Sequence, residues 1–287
     1  MSDKPILAVI GGSGLYQMPG LTDTETIQLD TPFGKPSSPI IIGTLSGKRV
    51  AFLSRHGIGH TISPTELNNR ANIYALRSLG ATRIVTTSAC GSLRDDYSPG
   101  HIVIPDQIFD FTKDRVRTFF QDGVVGHVSV ADPYCSTLSG QLHEAVKSAG
   151  ATVHSGGTFI TIEGPRFSTR AESNQFRAWG MSIIGMTACP ETFLAREAEM
   201  CYATMALVTD YDVWHISEEP VTVEMVMNTM SQNVSIAQNA IRNLVESLDD
   251  SHTCDGLMAN AIMTGKNHIP PETRQKLGLL IDKYINP

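Results

Sequence analysis

The sequence predicts an α/β fold in which helices cover a largely parallel β-sheet. Short apolar runs rich in Ile and Val recur along the chain, and helical patterns lie between several of them. Continuous apolar runs are typical of strands buried on both faces, and their alternation with helices is typical of parallel sheets. No repeat, low-complexity tract or change in composition marks a linker. We therefore expect the 287 residues to form one domain, with residues 1–250 as its body and residues 251–287 as a C-terminal helical extension.

Eight apolar runs are predicted to be strands. They cover residues 6–10, 40–45, 49–53, 83–87, 102–104, 158–162, 182–186 and 203–208. Four helical patterns follow or separate them, at residues 64–79, 170–179, 191–200 and 223–248. The polar tail is predicted to become helical from about Pro271.

Two of the helices have marked ends. Ser63 and Glu66 have the spacing of a capping box, Pro64 suits the first helical position, and Gly80 stands where a left-handed C-terminal cap is expected. The second helix repeats this pattern with Thr169, Glu172 and Gly180. Both helices are therefore expected to start and stop at these residues.

Composition disfavours several classes of function. The net charge is -7, and no block of Lys and Arg could neutralise a run of nucleic-acid phosphates. The N-terminal apolar run is only about six residues long before it reaches glycine, too short for a secretory or membrane segment. We expect a cytoplasmic protein with no nucleic-acid or membrane partner. Its five cysteines show no CxxC spacing and are expected to be reduced and mostly buried.

Glycines follow the first predicted strand in the segment Gly11-Gly12-Ser13-Gly14. Such a turn exposes backbone N–H groups and one hydroxyl to a small anion. The segment lacks the Lys-Ser/Thr ending of a P-loop and the spacing of a dinucleotide fingerprint. A tight turn needed only for packing is an equal alternative.

Other polar residues follow other strands. Arg55 and His56 come directly after residues 49–53, and the fork of an Arg guanidinium matches a phosphate dianion. A surface salt bridge is the commoner fate of an isolated Arg. The hydroxyl-rich segment 86–92 follows the next strand along, and Thr187 follows residues 182–186. Because ligands gather at the carboxyl ends of strands, these groups together indicate an anion site.

Two carboxylates, Asp210 and Asp212, follow the apolar strand 203–208 and are expected in its strand-end loop. Acids at such a position need a partner or a function unless they are solvated. A solvated loop remains the alternative on this segment alone.

The chain resembles the trimeric purine nucleoside phosphorylase and methylthioadenosine phosphorylase family. The resemblance is carried, in order, by the segments GGSGL, SRHGIGH, TTSACGSLR, TIEGPRFSTRAES, GMTACPE and VTDYDVWH, which span roughly residues 6–230. It implies a single-domain, three-layer α/β fold with a mixed, distorted sheet, a homotrimer with shared active sites, and no metal or organic cofactor. It also implies that inorganic phosphate is a co-substrate in the cleavage of a purine nucleoside.

The family's site residues carry over by position. The resemblance assigns phosphate binding to Ser13, Arg55, His56, Ser88 and Thr187. It assigns nucleoside binding to Ala89, Phe167, Ser168, Met186, Asp210 and Asp212, the two acids being also the catalytic candidates. An apolar 5′ pocket is assigned to His60, His127, Val223, Val226 and Met227, with His127 reaching over from a neighbouring subunit. Val226 and Met227 could equally be plain core residues, and Ser88 is more often Thr in methylthioadenosine enzymes.

Asp210 sets the expected choice of base. In the family this position faces the purine N7 and the C6 substituent. Adenine offers an amino donor and an N7 acceptor, which suit a carboxyl, whereas the C6 oxygen of a 6-oxopurine is repelled by a carboxylate. The resemblance therefore implies phosphorolysis of 5′-methylthioadenosine to adenine and 5-methylthioribose 1-phosphate. A phosphorylase of 6-oxopurine nucleosides or of 5′-methylthioinosine is the alternative, and a nucleoside-binding protein without catalysis is a more distant one.

Overall fold

The computed structural model describes residues 4–12, 15, 18–215, 222–249 and 251–285. Its described strands form one eleven-stranded sheet. They are β1 (Leu7–Gly11), β2 (Thr22–Ile27), β3 (Ile40–Leu45), β4 (Lys48–Ser54), β5 (Arg83–Ser92), β6 (Ile102–Ile104), β7 (Gln107–Phe111), β8 (Val153–Ser155), β9 (Thr158–Ile162), β10 (Ile183–Gly185) and β11 (Cys201–Asp210). The main path through the sheet is β2-β3-β4-β1-β5-β10-β9-β7, and β11, β6 and β8 branch from β5.

The described helices cover the two faces of this sheet. They are α1 (Asn69–Ser78), α2 (Ser136–Ser148), α3 (Arg170–Ala178), α4 (Ala188–Glu197), α5 (Val223–Ser247) and α6 (Pro271–Ile285). Short 3₁₀ turns lie at Pro64–Glu66 and Lys266–His268. None of the described helices combines the length and apolar character needed to cross a bilayer.

Alternate residues of β1 enter two different cores. Ala8 and Ile10 pack in a cluster with residues of α1, α4 and α6. Leu7 and Val9 pack in a second cluster with residues of α2 and α5. Because successive strand side chains point to opposite faces, a strand covered on both sides reads as a continuous apolar run. The predicted three-layer, single-domain α/β fold is confirmed.

The sheet is mixed, and most of its pairings are parallel. β1 runs parallel to both β4 and β5, but β2, β3 and β4 form an antiparallel edge. β10 also pairs antiparallel with β5 inside the sheet. The expectation of a largely parallel sheet and the mixed sheet implied by the family resemblance are both confirmed.

Three strands and one helix were not predicted from the sequence. β2 has the sequence TDTETI and is almost entirely exposed, so it lacks the apolar signal and depends on its pairing with β3. β7 and β8 are similarly poor in buried residues. α2 contains Gly and several Ser, which weaken its helical propensity, although it buries Leu138, Leu142, Ala145 and Val146 at helical spacing.

The predicted helix at residues 64–79 is broken. The Ser63 hydroxyl donates to the Glu66 carboxylate over 2.6 Å, but this contact caps only the 3₁₀ turn. Leu67 is extended, with φ of −60° and ψ of 123°. α1 begins after Asn68, whose side chain accepts from the N–H of Ala71. The predicted glycine caps are confirmed, since Gly80 has a φ of +89° after α1 and Gly180 a φ of +81° after α3.

Two predicted strand-end loops belong to the strands themselves. β5 continues through the hydroxyl-rich segment to Ser92, and β11 continues to Asp210. The two strands pair in parallel along this length, with a bulge between Val208 and Asp210. Main-chain pairing between two central strands thus extends the ladder beyond the apolar residues that predicted it.

The C-terminal tail packs on the body of the fold. Leu277, Leu280 and Ile281 of α6 are buried in the same cluster as β1 residues Ala8 and Ile10. The helix begins at Pro271, as predicted. The division between residues 1–250 and 251–287 stays a prediction. All five cysteines are free and buried, as expected.

Candidate active site

The candidate site lies where β5 changes its neighbour in the sheet. Its pairing with β1 ends at Thr86, and its pairing with β10 begins at Gly91. Between these points residues 87–90 pair with β11 on one side but with no described strand on the other. Such switch points leave main-chain groups and side chains open to a ligand. The ends of β1, β4, β10 and β11 surround this part of β5.

Arg55, directly after β4, forms a buried ion pair. Its Nε and Nη2 each donate to the Glu191 carboxylate over 3.1 Å, and its Nη1 donates to the Thr87 carbonyl over 2.9 Å. Arg55 is 2% exposed and Glu191 is fully buried. Burial alone lowers the pKa of Arg55, but the Glu191 carboxylate outweighs burial and the pKa is raised. A surface salt bridge, the commoner fate of an isolated Arg, is therefore excluded.

Glu191 is a site residue that the sequence analysis missed. It stands in α4, fully buried, and also accepts a hydrogen bond of 2.7 Å from the Tyr202 hydroxyl of β11. Three of the five N–H groups of the Arg55 guanidinium are used by Glu191 and Thr87. Glu191 therefore fixes the orientation of a cation that keeps two N–H groups for a ligand. An acidic residue among the apolar residues of a predicted helix was the available signal.

His56 lies beside Arg55 as an uncharged imidazole. Its Nδ1 is 2.9 Å from the Ile62 carbonyl, so Nδ1 carries the proton and Nε2 is the free acceptor. Burial and the neighbouring Arg55 charge lower the pKa of His56 to about 4. The exposed ring of His60 stacks on it at 4.4 Å between centroids.

The two predicted phosphate hydroxyls lie together. Ser88 of β5 and Thr187, after β10, are 2.5 Å apart through their hydroxyl oxygens, although 99 positions separate them. The Thr87 hydroxyl is buried without a hydrogen-bond partner in the described part of the chain. It lies against Gly11, where an added Cβ would be only 2.5 Å from it. Gly11 is thus required for packing, and Ser13, the phosphate candidate of this turn, lies outside the described residues.

Asp210 ends β11 in a buried position. Its Oδ2 accepts from the Thr209 hydroxyl over 2.6 Å, and its Oδ1 accepts from the N–H of Asp212 over 2.8 Å. A Cβ on Gly91 would approach Oδ1 to 2.8 Å, so this glycine makes room for the carboxyl. Burial raises the pKa of Asp210, and these two hydrogen bonds offset only part of the increase. The alternative of a solvated loop acid is therefore excluded.

Asp212 is the second buried acid. Burial raises its pKa to about 6, and repulsion by Asp210 adds to the increase. The hydroxyls of Ser168 and Ser173 lie near enough to offset part of the increase, although neither makes a hydrogen bond of ordinary geometry with it. Asp212 Oδ2 and both serine hydroxyls are buried without a hydrogen bond among the described residues. These three polar atoms are available to a polar ligand.

Arg115 lies at the part of the candidate site where β9 and β10 end. The sequence analysis also missed this residue. Its guanidinium donates to the carbonyls of Met186 and Cys189 over 2.7 and 2.6 Å, and to that of Glu163 over 2.7 Å. It thereby joins the ends of β9 and β10. It stands in an irregular segment that gave no local signal.

The nucleoside candidates lie at these strand ends. Ala89 is in the stretch of β5 that pairs with β11 on one side only, and the Met186 sulfur lies against Gly164. Phe167, at 38% exposure, flanks Ser168 on the segment before α3. Among these candidates, the Ser168 hydroxyl lies beside the Asp212 carboxyl.

The 5′-pocket candidates are not gathered within one chain. Val223 and Met227 are 67% and 62% exposed at the start of α5, and Val226 is partly buried. His127 is exposed, and its N–H donates to the Ala261 carbonyl. Among the described residues, no hydrogen bond, ion pair or ring contact joins the His127 side chain to the strand-end cluster. Only His60, stacked on His56, adjoins it.

The fold and the candidate site together define an α/β protein with a fixed, buried Arg–Glu pair and two buried acids at the strand ends around residues 87–90. The chain belongs to the Phosphorylase superfamily, which it matches over residues 6–246. An S-methyl-5′-thioadenosine phosphorylase of Geobacter sulfurreducens is 52% identical over 98% of this chain and 100% of its own length. One of Chloroflexus aurantiacus is 52% identical over 97% of this chain and 98% of its own.

Solved structures agree in fold. The crystal structure of a methylthioadenosine phosphorylase from an Antarctic soil metagenomic library superposes with a TM-score of 0.93 at 44% identity, covering 98% of this chain and 100% of that one. A methylthioadenosine phosphorylase of Schistosoma mansoni in complex with adenine gives a TM-score of 0.84 at 35% identity, covering 90% and 99%.

Proposed function

We propose that this protein catalyses the phosphorolysis of 5′-methylthioadenosine to adenine and 5-methylthioribose 1-phosphate. The observation that carries this proposal is Asp210, a buried carboxyl of raised pKa at the end of β11. Relatives of about half-identical sequence over nearly the whole chain are S-methyl-5′-thioadenosine phosphorylases. The protein is accordingly a pentosyltransferase, and we place it in purine and methionine salvage in the cytoplasm.

The reaction needs stabilisation at both ends of the breaking bond. As the C1′–N9 bond stretches, the sugar carbon becomes cation-like and the purine becomes an anion. A phosphate dianion held beneath the sugar stabilises C1′ and then attacks it, while an acid at N7 neutralises the purine. No covalent enzyme intermediate, metal or organic cofactor is required.

We assign phosphate to the cluster around residues 87–90. Arg55 offers two N–H groups beyond those used by Glu191 and Thr87. The paired hydroxyls of Ser88 and Thr187 donate beside it, and Ser13 completes the set. Neutral His56 presents Nε2, an acceptor that suits a protonated phosphate oxygen.

We assign the base to the two acids. A protonated Asp210 donates to N7, and its remaining oxygen accepts from the N6 amino group. Asp212 donates its main-chain N–H to Asp210 Oδ1 and so holds the loop against the first acid. Ala89 and Met186 contact the ribose, and Phe167 and Ser168 lie along the purine.

We place the methylthio group against Val223, Val226 and Met227 of α5, with His60 beside it and His127 of a neighbouring subunit above it. The assembly proposed is a homotrimer with shared sites. A thioether is favoured over a hydroxyl by apolar surroundings because burying an unpaired hydroxyl is costly.

The test is a panel of four substrates: 5′-methylthioadenosine, 5′-methylthioinosine, adenosine and inosine, each with and without phosphate. We expect phosphate-dependent release of adenine from the first, with the highest kcat/KM of the four. Release of hypoxanthine at a higher kcat/KM would favour the 6-oxopurine alternative. Nucleoside binding without release of any free base would favour the alternative of a nucleoside-binding protein that does not catalyse a reaction.

Asp210→Asn tests the base assignment. The amide keeps the size of the carboxyl and can donate to a C6 oxygen, but it cannot protonate N7. We expect kcat/KM for 5′-methylthioadenosine to fall by about 10²-fold or more, with the ratio of the two thio-substrates shifting toward 5′-methylthioinosine. The exposed Asp132→Asn is the matched control. An unchanged substrate ratio would remove Asp210 from base recognition.

A further inference from the structure

Three cysteines converge far along the sheet from the candidate active site. The sulfur atoms of Cys135, Cys201 and Cys254 all lie within 4.8 Å of one another. All three are buried, free thiols. Cys135 is the N-cap of α2, Cys201 is the first residue of β11, and Cys254 precedes α6 in the C-terminal tail. Three separate parts of the chain thus present one sulfur each to the same point.

A hydroxyl lies between two of the three sulfurs. Thr253 Oγ1 is 3.5 Å from the sulfur of Cys135 and 3.5 Å from that of Cys201. In a tetrahedral zinc site, Zn–S and Zn–O distances of about 2.3 and 2.0 Å place neighbouring ligand atoms about 3.8 Å (S to S) and 3.5 Å (S to O) apart. The two S-to-O separations match this value, and sulfurs within 4.8 Å of one another need to approach by at most about 1 Å to meet the S-to-S value.

The surroundings stabilise negative charge on sulfur. Cys135 is the N-cap of α2, so its sulfur lies at the N-terminus of this helix. A bound dication would allow all three to ionise, next to the positive end of the α2 dipole.

Two other roles fit these cysteines less well. Isolated buried cysteines act as small apolar groups, which explains neither their convergence nor the hydroxyl between them. A disulfide would use two of the three sulfurs and leave the third unpaired. A single thiophilic ion uses all three sulfurs and the hydroxyl.

We propose that Cys135, Cys201 and Cys254 bind one zinc ion, with the Thr253 hydroxyl or a water molecule hydrogen-bonded to it as the fourth ligand. The family resemblance implied no metal, and this ion takes no part in the reaction. Cys201 and Asp210 stand at opposite ends of β11, about 30 Å apart at the rise of a strand. The ion instead links three parts of the fold: the tail that precedes α6, the N-terminus of α2, and β11 of the central sheet.

The test measures zinc in the intact, reduced protein. Wild type is incubated with zinc chloride, passed through gel filtration and analysed by elemental mass spectrometry. We expect about one zinc per chain, and at least a fivefold lower content in Cys254→Ala. Cys189→Ala, which removes a buried thiol outside the group, is the matched control and should retain the wild-type content. Cobalt in place of zinc should give a thiolate-to-metal charge-transfer band in wild type and in the control.

Three results would overturn the proposal. These are zinc content in wild type far below one ion per chain, absence of the cobalt band, or a disulfide among the three cysteines in protein isolated under non-reducing conditions. Because the wild-type measurement requires no variant, a failure of Cys254→Ala to fold does not affect it. The proposal is also independent of the substrate, since zinc content is read without any activity assay.

Discussion

At the scale of single residues, Arg55, the proposed phosphate-binding cation, also forms a buried ion pair that stabilises the fold. Its buried partner Glu191 would be left as an uncompensated charge in Arg55→Ala. Breaking a buried ion pair from one side is expected to lower the free energy of unfolding by about 3–5 kcal/mol. The same variant should raise the KM for phosphate at least about tenfold, because a charge-assisted contact is worth roughly 1.5–3 kcal/mol.

The double variant Arg55→Ala with Glu191→Gln separates these two effects. It removes both charges, so the loss of stability measured by chemical denaturation should be smaller than in Arg55→Ala alone. The KM for phosphate should stay high. Recovery of phosphate affinity together with stability would show that Arg55 acts only on the fold.

Asp212 makes stability depend on pH. Its folded pKa of about 6 lies above the ordinary value of 3.8, so the folded state binds this proton more tightly than the unfolded chain. The stabilising contribution is fully present below pH 4 and is lost as the pH rises through about 6. The difference corresponds to roughly 3 kcal/mol.

We therefore expect Asp212→Asn to be more stable than wild type at pH 8 and equally stable near pH 4. The residue has a φ of +52°, a conformation that Asn tolerates well. Urea denaturation at several pH values measures the difference, with Asp132→Asn as the control. A constant difference between the two proteins across this range would contradict the raised pKa.

At the scale of elements, the change of pairing partner along β5 decides where the candidate site lies. Its ten residues read as one apolar strand followed by hydroxyls, yet β1 accompanies only the first part and β10 only the last. The gap between them coincides with Thr87–Cys90 in sequence. Arg55 after β4 and Thr187 after β10 contact this stretch, and Asp210 of β11 pairs with Gly91 at its end. A strand that changes partner thus converts a run of small polar residues into a binding surface.

The tail helix α6 should contribute to the stability of the whole domain. Leu277 is fully buried in the cluster that contains β1, whereas Leu279 on the same helix is 43% exposed. Leu277→Ala is expected to lower the free energy of unfolding by about 2–5 kcal/mol, and Leu279→Ala by less than about 0.5 kcal/mol. Denaturation followed by circular dichroism makes the comparison. Equal effects, or a separate early transition in both, would show that the tail is not part of the main core.

At the scale of the whole molecule, two of the three apolar residues assigned to the 5′ end stay exposed in a single chain. Val223 and Met227 are more than one-third exposed, and so is Phe167 of the nucleoside candidates. Clustered exposed apolar groups are typical of surfaces covered by another subunit. The proposed trimer would supply that cover, and light scattering should then give three times the chain mass of 31.1 kDa.

His127 provides the sharper test of the assembly. If it reaches into a neighbouring site, His127→Ala should raise the KM for 5′-methylthioadenosine about tenfold, whereas the exposed His268→Ala should not. Trimers mixed from Asp210→Asn and His127→Ala chains should then exceed the activity of both parents, because some sites receive neither substitution. No gain in confirmed mixed trimers would place His127 outside the shared site.

Much of this protein could be predicted from its sequence by itself. The strands at residues 40–45, 102–104 and 158–162 were predicted to the residue, because strands covered on both faces carry a continuous apolar signal. The N-terminal cap of α3 and the first residue of α6 were also predicted correctly, because caps depend on residues three or four positions apart. The polar residues at the strand ends were found for the same local reason.

The tertiary structure decided what no local pattern contains. Arg55 meets Glu191 across 136 positions, Ser88 meets Thr187 across 99, and three cysteines meet from three elements. Propensity and periodicity act within a few residues, whereas these contacts depend on the order of strands in the sheet and on the point where β5 exchanges β1 for β10. The sequence by itself therefore determined the elements and the chemistry available at their ends. Packing of the sheet determined which charges are paired, which acids are buried, and hence the pKa values on which the proposed reaction depends.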